Sequence, residues 1–144
     1  METTLSTIFV DTNVLFSGVY KDNTSPGEIL NLHRDKKIQI VVSQQVLDEV
    51  VRNIKRKYSI GLPKLIKFLT THPPVVQPDP SLPQIKKWLS VINSVDAPIL
   101  AAAVKAKPKY FVTGDKAHFT PKVAQASRLT ILSPKEFIDQ FSSV

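Results

Sequence analysis

At 144 residues, the chain has room for one compact domain around a single core and none for a second. Hydrophobic residues at 42% and charged residues at 22% fit a soluble globular protein rather than a disordered one, and the lack of cysteine excludes disulfides, thiolate zinc sites and a cysteine nucleophile. The 19 basic against 12 acidic residues, a formal charge of +7, favour a polyanionic partner such as nucleic acid.

No apolar run approaches the roughly 18 residues that span a bilayer. The start METTLSTIFVDTN has neither the basic lead nor the apolar stretch of a signal peptide, so an unprocessed, cytoplasmic protein is expected.

Thr7 to Val10 is the first expected strand, a short β-branched and aromatic run. Ser25-Pro26-Gly27-Glu28 then marks a helix start, with serine as cap, proline in the first turn and glutamate reaching back. Ile38 to Val42 is the second strand. After Ser43, the residues Val46, Leu47, Val50, Val51 and Ile54 define the buried stripe of a helix. Leu62, Leu65, Ile66 and Leu69 recur at helical spacing inside a proline-bearing segment from Tyr58 to Pro83, which reads as a helical excursion between strands. Val75 to Gln77 is a fifth strand candidate. Ser81-Leu82-Pro83-Gln84 opens a helix with Ile85, Trp88, Leu89 and Ile92 on its inner face. Ala97 to Ala103 is strongly helical, Tyr110 to Thr113 and Thr130 to Leu132 are strands, and Ser133-Pro134-Lys135-Glu136 starts a last helix. Such alternation predicts an α/β fold with a parallel sheet.

Three aspartates stand at strand or helix ends. Asp11 directly follows Ile8-Phe9-Val10, and Asp115 comes two residues after Thr113, so both fall at the carboxyl edge of a parallel sheet, where open α/β folds bind ligands. Asp96 lies at the mouth of the Ala97 helix. Taken singly, each has an ordinary explanation as a turn or cap residue. On the helix after Ser43, Asp48 and Glu49 flank the buried stripe symmetrically, and periodicity does not choose between them. The company of Arg52, Asn53 and Arg56 favours Glu49, since a carboxylate beside guanidinium groups suits a site for metal and phosphate.

The ordered set Phe9-Val10-Asp11-Thr12-Asn13-Val14-Leu15, Ser43-Gln44-Gln45-Val46-Leu47-Asp48-Glu49-Val50, Asp96-Ala97-Pro98-Ile99-Leu100-Ala101-Ala102-Ala103 and Phe111-Val112-Thr113-Gly114-Asp115-Lys116 resembles a PIN domain, of the kind found in VapC-like toxins of toxin–antitoxin pairs. The resemblance covers nearly the whole chain. It implies a three-layer α/β/α sandwich with a central parallel sheet, Mg²⁺ or Mn²⁺, cleavage of RNA, a homodimer and a cognate antitoxin partner. By position it implies metal-binding, catalytic acids at Asp11, Glu49, Asp96 and Asp115, with supporting roles for Asn13 and Thr113. The chain departs from many relatives in having Ala117-His118-Phe119 where further acids occur, and Asn93 three residues before Asp96 where some carry an acid.

Phosphodiester hydrolysis needs an activated water and stabilised charge on phosphate, which a hard cation held by oxygen ligands supplies. Without one, two carboxylates 4 Å apart repel by ~4 kcal/mol at an effective dielectric near 20. Basic residues cluster at Arg34, Lys36 and Lys37, at Arg52, Lys55, Arg56 and Lys57, and at Lys105, Lys107 and Lys109. The middle group adjoins Glu49, so Arg52 and Arg56 are the expected substrate contacts. His118 reads as a structural loop histidine, and Trp88 and the three tyrosines form no stacking series for single strands. Competing readings are a weakly catalytic PIN-fold module that binds RNA or protein, a structure-specific DNA nuclease, and a phosphoacceptor domain; the last is disfavoured because the chain lacks the arrangement of an acidic pair around the first strand, a central acceptor aspartate and a late Lys-Pro.

Overall fold

The computed structural model describes residues 5–142; part of the opening stretch behind the expectation of an unprocessed start lies outside them. Five strands form one parallel sheet: β1 (Thr7–Val10), β2 (Gln39–Ser43), β3 (Val75–Gln77), β4 (Tyr110–Val112) and β5 (Ile131–Leu132), in the order β3-β2-β1-β4-β5. Every neighbouring pair is parallel, with Ile8 opposite Ile40 on one side of β1 and Val10 opposite Val112 on the other. Helices α1 (Thr12–Tyr20), α2 (Ser25–Arg34), α3 (Gln44–Lys57), α4 (Leu62–Thr71), α5 (Leu82–Lys86), α6 (Ala97–Ala106), α7 (Pro121–Ser127) and α8 (Pro134–Ser142) flank it, giving the expected three-layer sandwich.

The central strands are buried on both faces, which is why they read as unbroken apolar runs. Ile8, Phe9, Val10, Ile40, Val42, Phe111 and Val112 are fully buried, and Phe9 meets Phe111 edge-on at 5.5 Å. Burying a side chain of this size contributes roughly 1.5–3 kcal/mol, so the centre of the sheet is the firm base for whatever its ends carry. The chain runs outward from β1 through β2 to β3, then returns to place β4 on the other side of β1. The reversal opens a crevice at the carboxyl ends of β1 and β4.

Local signals mostly hold. Ser81 and Gln84 form a reciprocal cap, and so do Ser133 and Glu136. At α2 the cap is Thr24, whose hydroxyl accepts from the Gly27 amide at 3.2 Å; Ser25 is already helical, one residue inside the expected boundary. Two buried stripes need correction. In α4 the inward residues are Leu65 and Phe68, while Ile66 is exposed. The helix opened by Ser81 stops at Lys86, and the chain continues in turns that bury Trp88 and Ile92 but leave Leu89 exposed. The fifth strand candidate is real: β3 pairs with β2 at the sheet edge and leaves Val75 and Val76 exposed.

Candidate active site

Asp11, Glu49, Asp96 and Asp115 line one cleft of about 330 Å³, together with Asn13, Phe16, Asn53 and Lys57 among others. Four separate elements deliver the acids. Asp11 leaves β1 as the N-cap of α1, its backbone tied to β4 by a bond from its amide to the Val112 carbonyl at 3.1 Å. Glu49 comes from α3, Asp96 from the N-cap position of α6, and Asp115 from the loop after β4.

Asp11 is only 5% exposed. Its carboxylate accepts from the Thr12 amide at 2.7 Å, the Thr113 hydroxyl at 2.8 Å and the Asn13 amide group at 3.3 Å. Burial raises its pKa to about 6, against the lowering effect of the Thr113 and Thr12 hydrogen bonds, and the charges of Asp96 and Glu49 push it the same way as burial. Protein donors therefore do not balance the charge at this position.

The ambiguity between Asp48 and Glu49 ends in geometry. Glu49 accepts from the Thr12 hydroxyl at 2.8 Å and from Gln45 at 3.1 Å and faces the cleft, whereas Asp48 pairs with Gln44 at 2.9 Å and is absent from the lining. Asp96 stands where a cap would stand but makes no side-chain cap bond; its carboxylate instead accepts from Asn93 at 2.7 Å. Asn93 thus anchors Asp96 at a position where some relatives have an acid. Asn13 accepts from the Gly114 amide at 2.7 Å, and the Thr113 hydroxyl accepts from the Asp115 amide at 3.0 Å. Asn13, through Gly114, and Thr113, through its bond to Asp11, bind the β1 and β4 ends together.

Arg52 and Arg56 are exposed and do not line the cleft. Asn53 and Lys57, four and eight residues after Glu49, take that place. Sequence spacing missed this because positions at +3 and +7 diverge from Glu49 to one side and those at +4 and +8 to the other. Thr12 was also missed as a link to Glu49, although it sits inside the quoted Asp-Thr-Asn run. His118, read from sequence as a structural loop residue, stands beside two of the acids. Its Nδ1 lies 2.7 Å from Asp115 and 3.8 Å from Asp96, and their carboxylates raise its pKa. Ligand atoms of Asp96, Asp115 and His118 come within 4.8 Å of one another, close enough to share one ion. A buried carboxylate with uncompensated charge, beside three further acids, fits a divalent cation.

The family model for the PIN domain matches residues 7–117. No curated protein sequence matches the chain significantly. Among solved structures it resembles the crystal structure of VapBC2 from Rickettsia felis bound to a DNA fragment from their promoter, with 18% identity over 88% of this chain and 98% of that one and a TM-score of 0.65. It also resembles PAE2754 from Pyrobaculum aerophilum, with 11% identity over 96% and 91% of the two chains and a TM-score of 0.66. At such identities the likeness establishes the fold.

Proposed function

The chain belongs to the PIN-domain family, and from that premise we propose that it is a metal-dependent endoribonuclease, the toxin of a toxin–antitoxin pair, working as one domain in the cytoplasm. The observation that carries the reading is the convergence of Asp11, Glu49, Asp96 and Asp115 on one cleft. A weakly catalytic binding module has no need of this arrangement, because unneutralised acids repel RNA.

Asp11, Glu49, Asp96 and Asp115 would hold Mg²⁺ or Mn²⁺, with His118 beside the last two. A bound cation lowers the pKa of its water and polarises a phosphoryl oxygen. Thr113 and Thr12 hold the Asp11 and Glu49 carboxylates in fixed orientations through the hydroxyl bonds described above, so little reorganisation is left for the reaction. Lys57 offers a cation to the phosphate backbone from the rim. Arg52 and Arg56, on the other side of Glu49 and outside the cleft lining, act as longer-range attraction rather than direct contacts.

Among the described residues no helix is long and apolar enough to cross a membrane. A complex with an antitoxin protein, supported by the likeness to VapBC2, and pairing of two copies belong to the same reading. The direct test incubates the chelated protein with RNA and DNA oligonucleotides of one sequence, with and without Mn²⁺. RNA cleavage only with Mn²⁺ supports the reading. Cleavage in excess EDTA contradicts metal dependence, and cleavage of DNA alone contradicts the substrate.

A further inference from the structure

The rim of the cleft carries a feature that chain order hides. Phe16 lines the cleft, and its ring lies nearly parallel to that of Tyr20, one turn along α1, at an interplanar angle of 10° with centroids 6.2 Å apart. Tyr20 in turn meets Tyr58 edge-on at 4.8 Å. Two helices thus assemble three rings into a row leading out of the cleft, although the same aromatics are scattered in sequence.

The row is held from one side and open on the other. Tyr58 follows α3 with its amide bonded to Ile54 and its carbonyl to the Gly61 amide at 2.8 Å. A Cβ at Gly61 would stand 2.4 Å from the Tyr58 ring, so the turn is closed directly onto that ring. Tyr20, by contrast, is 56% exposed and Ile60 is 81% exposed. Exposed cations adjoin the row along the chain: Lys21 follows Tyr20, and Lys55, Arg56 and Lys57 form the last turn of α3, just before Tyr58. Lys57 also reaches the cleft itself.

An exposed ring, Tyr20, backed by the half-buried Phe16 and Tyr58 and joined through Phe16 to an acid-lined cleft, offers a π face for a base beside cations for the backbone. Paired bases in a duplex are already stacked and offer no free face. A helix or strand of a partner protein would instead need a broader apolar surface than Tyr20, Ile60 and, across the cleft lining, Val95 provide.

We propose that Tyr20, backed by Phe16 and Tyr58, is a stacking platform for an unpaired base beside the scissile phosphate. The position of that phosphate rests on the nuclease reading above.

The test uses the full chain with a short single-stranded RNA carrying 2-aminopurine and a hairpin of equal phosphate number, with Ca²⁺ in place of Mg²⁺ and the RNA checked as intact on a gel. Wild type should quench the base fluorescence and bind the single strand more tightly than the hairpin. Tyr20→Ala should abolish the quench and weaken single-strand binding about tenfold, while Tyr20→Trp restores both. Equal weakening of both RNAs, or an unchanged quench in Tyr20→Ala, would overturn the platform. So would loss of a co-purifying protein partner with RNA binding intact, which would make the row a protein-docking surface. The two readings fail separately: no cleavage but Tyr20-dependent single-strand binding removes the nuclease and keeps the platform, and cleavage without Tyr20 dependence does the reverse.

Discussion

His33, on α2 and packed against β2 and the end of α4, has both ring nitrogens partnered: Nδ1 accepts from the Ile40 amide at 3.1 Å, so Nε2 carries the proton and donates to the His72 carbonyl at 2.8 Å. It is 7% exposed, and burial lowers its pKa, leaving a neutral ring with nothing unsatisfied. Asp11 is equally buried, yet three donors fail to hold down a pKa that burial lifts to about 6, and Asp96 and Glu49 add to the strain. The protein completes the histidine by itself and leaves the aspartate incomplete. Burial of a polar group is therefore not the sign of a site; burial with uncompensated charge is.

Breaking the acidic side of the comparison should have the largest effect. Asp11→Asn keeps the shape and removes a charge, and cleavage should fall by at least about 100-fold because the cation is lost or misplaced. Metal-free stability at pH 7 should rise by up to about 3 kcal/mol, the equivalent of a shift from 3.8 to about 6, as read by urea unfolding. A variant that is inactive because it is unfolded would remove Asp11 from the site.

Breaking the histidine side should do the opposite. His33→Leu strands the Ile40 amide and the His72 carbonyl and should cost about 2 kcal/mol, with cleavage per folded molecule unchanged in an initial-rate assay.

The two sides also differ in the sign of their pH dependence. For Asp11 the folded pKa lies above the unfolded one, so its contribution is fully favourable below 3.8 and is lost as pH rises through about 6. For His33 the folded pKa lies below 6.5, so its contribution is present above 6.5 and is lost as pH falls. Unfolding of chelated protein from pH 4 to 7 should show Asp11→Asn removing the first limb and His33→Leu the second.

The smallest effect sharpens where the substrate enters. Lys57→Gln should reduce the slope of log binding constant against log salt by about one unit, while Arg52→Gln or Arg56→Gln should reduce it less. An equal change at all three positions would place the phosphate path over the helix face rather than through the cleft.

Strands and the three Ser-Pro helix starts were legible because period, proline and capping act within a few residues, although the α2 boundary slipped by one where Thr24 outcompetes Ser25 as cap. The acids at strand ends were legible because a parallel sheet places its strand ends on one edge. The Asp48 and Glu49 ambiguity was not, since only contact with Thr12 distinguishes two positions symmetric about the stripe. The edge contact of Tyr20 with Tyr58 and the approach of His118 to Asp96 depend on distant chain segments meeting in space; Lys57, the Asn93 bond to Asp96 and the His118 bond to Asp115 are local, but spacing alone does not say which side chains turn toward the cleft.

The central claim is that the cluster around Asp11 is completed by a divalent cation, and the difference between wild type and Asp11→Asn in Mn²⁺-dependent thermal stability tests it most directly. Each protein is chelated and then melted with and without Mn²⁺. At 100 times its dissociation constant the ion should stabilise the wild type by roughly 2.7 kcal/mol, and the variant, already more stable without metal, should gain little. A variant that gains as much from Mn²⁺ as the wild type, or a wild type that gains nothing, would contradict it.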